Sequence, residues 1–238
     1  MKKNQIHRII YLCIFCLFLS WPEENQAQNL DFGGLNRYAQ ENQKLPFPSK
    51  KEKRVVFLGN SITEGWVNTH RTFFTENGYI GRGISGQTSY QFLLRFREDV
   101  IKLHPKVVII NAGTNDIAEN TGPYNEEYTF GNILSMVELA KANNIKVVLT
   151  STLPAAKFGW NPNIKDAAQK IASLNQRIKT YAEKHKIPYG DYYQEMVCGE
   201  DKALNPIYTK DGVHPTAEGY TVMEKVIKPI IDKILSEP

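Results

Sequence analysis

The chain has 238 residues, of which 42% are hydrophobic and 23% charged, and its net charge is +4. That size supports one globular domain with a sizeable core. The basic residues are scattered among acids, which argues against the clustered basic face of a nucleic-acid binder.

The first 27 residues read as an export signal. Lys2, Lys3 and Arg8 precede an apolar stretch at 9–20, and Ala27 offers a small residue for cleavage. The apolar stretch falls short of the roughly 20 residues that span a bilayer. The expectation is therefore a periplasmic or secreted protein with no membrane anchor after cleavage. Cys13 and Cys16 lie inside this segment, so their spacing is not read as redox or metal chemistry. Cys198 is the one remaining cysteine, which leaves no partner for an internal disulfide. A buried apolar thiol is its expected state.

Residues 28–53 are polar, with Pro46 and Pro48 near their end. They read as a surface lead-in with a short helix around 37–43. From residue 54 onward apolar strand-like runs recur at 54–59, 79–84, 106–111, 146–151 and 187–191. Helical periods separate them. Residues 90–103 align Phe92, Leu93, Phe96, Val100 and Leu103. Residues 128–143 align Ile133, Val137 and Ala140, and 165–185 align Ala168, Ile171, Leu174, Ile178 and Tyr181. A last helix is expected over 216–236. Strands alternating with helices predict a parallel sheet covered on both faces. Continuous Val/Ile-rich strands are those buried on both sides. The expected class is α/β, a three-layer α/β/α sandwich on five strands, occupying residues 54–238.

Four polar blocks stand where a strand has just ended or in the last loop. They are Gly59-Asn60-Ser61, Arg82-Gly83-Ile84-Ser85-Gly86-Gln87-Thr88, Asn111-Ala112-Gly113-Thr114-Asn115-Asp116, and Asp211-Gly212-Val213-His214-Pro215. In a parallel sheet all four can meet on one rim. By itself Ser61 reads more readily as a helix N-cap, and the other blocks decide against that reading. A serine nucleophile needs a base, and the base needs an orienting partner. His214 fits the first role and Asp211 the second. Carbonyl attack also creates an oxyanion that needs donors already in place. The Ser61 and Gly86 backbone N–H groups and the Asn115 side-chain amide are the candidates.

These blocks resemble those of the SGNH hydrolases, also called GDSL-type esterases, over residues 54–236. The resemblance implies a flavodoxin-like sandwich with strand order 2-1-3-4-5. It also implies Ser61 as nucleophile, His214 and Asp211 completing the triad, and Gly86 and Asn115 as oxyanion donors. One departure is visible: Asn60 stands where the family pattern has Asp.

Ester hydrolysis by this route needs no metal or cofactor, and none is expected. Asp116 is expected to hold the Asn115 loop. His70, His104 and His185 are expected in surface or structural roles. In the loop 153–165, Phe158 and Trp160 can wall the pocket, stacking on a sugar or lining an acyl groove, or can merely cover the sheet edge. Tyr124 and Tyr128 are similar candidates. The expected substrate is a small-molecule or glycan ester with a short acyl group such as acetyl. The alternatives are a lysophospholipase or thioesterase for longer chains, and a catalytically silent glycan-binding module.

Overall fold

Strand β1 (Val55–Gly59) is an unbroken apolar run, buried along its whole length. Such a strand is stable only inside a sheet covered on both faces. It pairs in parallel with β2 (Tyr79–Gly83) on one side and β3 (Val107–Ile110) on the other. Strands β4 (Lys146–Thr150) and β5 (Tyr189–Gly190) continue from β3, giving the parallel order β2-β1-β3-β4-β5. The order expected from the resemblance is the one observed. The chain reverses direction of winding between β1 and β3, where ligands bind in open α/β sheets.

The computed structural model describes residues 31–49 and 51–237, and from Gly33 onward they form one compact unit. The expected export signal, with Lys2, Lys3, Arg8, Cys13, Cys16 and Ala27, lies outside the described residues. Among the described residues no helix is long and apolar enough to cross a membrane.

Successive strand side chains face opposite ways, and two cores result. Val56, Leu58, Val108, Ile110 and Leu149 point toward α4 (Ser89–Asp99), α6 (Glu126–Ala142) and α7 (Ala167–Lys184), meeting Phe92, Phe96, Val137 and Ile171. Val55, Phe57, Val107, Ile109 and Val148 point toward α2 (Ser61–Thr69), α3 (Arg71–Asn77) and α9 (Ala217–Ser236), meeting Ile62, Trp66, Phe74, Tyr220 and Ile227. Helix α1 (Ala39–Lys44), from the lead-in, packs near α4, and the short helices α5 (Thr114–Ile117) and α8 (Tyr192–Met196) follow β3 and β5.

Three details differ from the sequence reading. Strand β5 pairs only through Tyr189 and Gly190; Pro188 before them has no N–H for the ladder. The helix read over 90–103 ends at Asp99, and Ile101–Leu103 tighten into a 3₁₀ turn closed by His104 at φ 50°. Cys198 is half-buried in a small hairpin with Ala203–Leu204, not sealed in the core.

A buried polar network ties the lead-in to the sheet. Arg95 is 0% exposed. It donates to Asp99 (2.9 Å), to the Gln87 side-chain oxygen (2.6 Å) and to the Gly59 carbonyl (2.9 Å). Asn42 donates to Asp99 (2.7 Å) and accepts from Arg82 (2.7 and 2.9 Å). Removing one member of a buried pair leaves the other charge unpaired, at a cost of about 3–5 kcal/mol. Arg95→Met is expected to lower unfolding stability by that amount in urea titrations, and a loss near zero would show the network to be dispensable.

Candidate active site

Where β1 ends, the backbone turns directly into α2. Asn60 is the helix N-cap, and its side-chain oxygen accepts the Ile62 N–H at 3.0 Å. Ser61 is therefore the first helical residue, held at the C-terminal rim of the central strand. The partial positive charge of a helix N-terminus faces the same place.

His214 reaches Ser61 from the loop before α9. That loop is closed by a Thr209–Pro215 bridge, and Thr209 donates to the His214 carbonyl at 2.8 Å. Gly212 turns within it at φ 83°, a conformation that favours glycine. His214 Nε2 lies 2.9 Å from Ser61 Oγ, and His214 Nδ1 lies 2.6 Å from Asp211 Oδ2. A carboxylate only accepts, so Nδ1 carries the proton and Nε2 is free to accept from the serine. Asp211 Oδ1 also accepts the Val213 and His214 backbone N–H groups at 2.9 and 2.8 Å. Burial pushes the Asp211 carboxyl up, but the bonds from His214 and Val213 outweigh it and hold the group down at about 2.

The three candidate oxyanion donors sit on linked segments. Neither the Ser61 nor the Gly86 backbone N–H has an intramolecular partner among the described residues. Gly86 turns at φ 78°, and a Cβ there would point into open space. The Asn115 amide donates to the Gln87 carbonyl at 2.9 Å, one residue beyond Gly86. Its second N–H remains for a ligand. Asp116 accepts the Ser89 N–H at 3.0 and 3.1 Å, together with the Ser89 and Thr129 hydroxyls. It thereby fastens the Asn115 loop to the first turn of α4, as expected. Burial pushes its carboxyl up, against these four bonds.

The aromatic candidates separate clearly. Trp160 is 47% exposed, and its ring centroid lies 6.1 Å from that of His214. Its indole N–H donates to Asn120 (2.9 Å), and the Asn120 amide donates to the Gly86 carbonyl (3.0 Å). Phe158 is only 1% exposed and lies beneath Trp160 at 5.2 Å. It packs within the core, which fits the covering role of the two expected for it and not the pocket wall. Tyr124 is half-buried and packs against the same core, with its hydroxyl buried and unpartnered among the described residues. Tyr128 is exposed.

Sequence reading passed over Glu64 and Arg95, and it gave His70 a surface or structural role without naming its partner. Glu64, one helical turn after Ser61, binds Ser85 in the loop that carries Gly86. Arg95 holds Gln87 and the Gly59 carbonyl from within the core. His70 does have a chemical neighbour: its Nδ1 lies 2.6 Å from Glu224, which also accepts the Trp66 indole N–H at 3.0 Å. His104 and His185 lie against the rings of Phe47 and Tyr181.

The fold and sequence have close relatives. A GDSL-like lipase from Bacteroides thetaiotaomicron is 71% identical, covering 85% of this chain and 99% of that one, with a TM-score of 0.85. A structure from Bacteroides fragilis is 72% identical over 86% of this chain and 99% of that one, with a TM-score of 0.86. An acetylxylan esterase of Xylanibacter ruminicola is 24% identical over 77% of this chain, and the chain spans only 44% of that relative's length. The model of the GDSL-like Lipase/Acylhydrolase family matches residues 57–222, and the chain belongs to that family.

Proposed function

We propose that the protein hydrolyses carboxylic esters through an acyl-enzyme on Ser61. The observation that carries this reading is the hydrogen-bonded series Ser61–His214–Asp211 on the sheet rim. Ser61 Oγ attacks the ester carbonyl carbon while His214 Nε2 takes its proton. Asp211 stabilises the imidazolium without taking up the proton itself. The oxygen of the tetrahedral intermediate receives the Ser61 and Gly86 N–H groups and the Asn115 amide. His214 then protonates the leaving alcohol. Water, deprotonated by the same imidazole, attacks the acyl carbon, and Ser61 recovers its proton as the acid product leaves.

For the substrate, the proposal is a short acyl group, such as acetyl, on a glycan. Two observations support it. The His214 and Asp211 side chains are 38% and 54% exposed, so a bulky alcohol moiety can reach the triad. Trp160 presents an open aromatic face beside His214, suited to stacking on a sugar ring. Action outside the cytoplasm fits such a substrate and the N-terminal sequence. The acetylxylan esterase relative is compatible with it.

Replacing Ser61 with Ala is expected to lower kcat by about 10⁴- to 10⁶-fold, because triad members act as a unit. Acetyl ester turnover and labelling by a fluorophosphonate at Ser61 check this; wild-type-like hydrolysis by the variant sinks the assignment. Across acetyl, octanoyl and palmitoyl esters of one alcohol, kcat/KM is expected to fall with chain length. The opposite order would favour the long-chain reading.

The pH dependence follows from Asp211. Its folded value of about 2 lies below the ordinary carboxylate range, so its stabilising contribution is complete above that range and is lost as pH falls toward 2. The carboxylate thus stays ionised wherever an imidazole titrates. The acid limb of kcat/KM is expected to show a single ionisation. A second break between about pH 3 and 5 would contradict the Asp211 environment.

A further inference from the structure

Two backbone donors from separate segments must meet one oxygen. One is the Ser61 N–H at the start of α2, and the other is the Gly86 N–H in the loop after β2. Glu64 links the two segments. It stands three residues after Ser61, on the same helical turn. Its Oε2 accepts both the N–H (2.9 Å) and the hydroxyl (2.5 Å) of Ser85, the residue before Gly86. Its Oε1 accepts from Arg37 of the lead-in at 3.1 Å. The loop also leaves β2 already pressed onto α2. A Cβ at Gly83 would lie 2.3 Å from the Glu64 nitrogen and 2.7 Å from the Asn60 carbonyl. On its far side the loop is held by Asn120 at the Gly86 carbonyl.

We propose that Glu64 is a positioning residue for the oxyanion hole: its carboxylate clamps Ser85 so that the Gly86 N–H stays in register with the Ser61 N–H. Arg37 offsets the negative charge that this clamp brings near a developing oxyanion. Arg37 lies outside the residues 57–222 matched by the family model, so the lead-in takes part in the site. The proposal rests on the ester-hydrolysis reading. Glu64 touches no reacting atom and acts only through Ser85 and Gly86.

The test compares wild type, Glu64→Ala, Glu64→Gln and Ser85→Ala on an acetyl ester. The readouts are kcat, KM, the rate of fluorophosphonate labelling at Ser61, and the thermal midpoint. Outright loss of one oxyanion donor costs about 10²–10³ in kcat, and a loosened donor costs less. Glu64→Ala is expected to lower kcat by about 10- to 100-fold with KM within about threefold, and to slow labelling by a similar factor. The acid limb of the pH profile should not move, since the base is untouched. Glu64→Gln keeps an acceptor oxygen for Ser85 and should recover most of kcat. Ser85→Ala removes one of the two bonds and should fall in between; it also serves if Glu64→Ala does not fold. The proposal is overturned if Glu64→Ala keeps kcat within about twofold, or if Glu64→Gln is as impaired as Glu64→Ala. It is overturned too if Ser85→Ala, standing in for an unfolded Glu64→Ala, turns over like wild type. A wild-type protein that neither cleaves the ester nor labels at Ser61 would instead sink the esterase reading itself.

Discussion

A serine hydroxyl becomes a useful nucleophile only with an imidazole nitrogen in hydrogen-bond reach, and here the two residues are 153 positions apart in the chain. The contact depends on how α2 packs against α9, because Ser61 opens the first helix and His214 sits just before the second. Tyr220 of α9 stacks on Trp66 of α2 at 5.8 Å and donates its hydroxyl to the Ile62 carbonyl at 2.9 Å. A Cβ at Gly65 would stand 2.5 Å from that hydroxyl, so the glycine is what lets the helices close. Glu224 adds a polar fastening by accepting from Trp66 and meeting His70. The His70–Glu224 pair is thus part of what holds Ser61 within reach of His214, although it takes no part in the chemistry proposed there.

The loop that carries Gly86, a candidate oxyanion donor, is held by a different kind of force. Its loop carries few apolar anchors, and polar bonds fix it from several directions. Glu64 holds Ser85, Asn120 holds Gly86, and Arg95 together with the Gly33 carbonyl holds the Gln87 side chain. The Gln87 main-chain carbonyl in turn orients Asn115. The buried members, Arg95, Gln87 and Asn115, cost desolvation and return a defined geometry, while Ser85 and Asn120 stay exposed. That exchange suits the oxyanion role proposed for these donors, which would have to be aimed before any charge develops.

Much of this was legible in the sequence, for physical reasons that can be named. A strand buried on both faces must be continuously apolar, so β1, β3 and β4 announce themselves. The blocks after β1, β2 and β3 and in the loop before α9 carry the candidate triad and oxyanion residues, because a parallel sheet puts its strand ends on one rim. Other features were not legible. Trp160 and Phe158 are two aromatics in one loop, and only the packing decides that one faces His214 and the other the core. Arg95 lies in an amphipathic helix where an arginine ordinarily faces water. Glu64 follows Ser61 at the spacing of an ordinary helix cap, and its real partner, Ser85, is 21 residues away. Long-range polar partners leave no periodic trace.

Asn60 shows how geometry can account for a departure from a pattern. It is 1% exposed, and its side-chain oxygen is used as an acceptor for the Ile62 N–H. That task requires a lone pair, not a charge, and either amide or carboxylate supplies one. An aspartate would add a full negative charge at the end of α2, beside the place assigned to the oxyanion. The amide caps the helix while leaving its N-terminal partial positive charge, about half an elementary charge, uncompensated. Capping and anion stabilisation therefore do not compete at this helix end, and the substitution is consistent with the catalytic reading of Ser61.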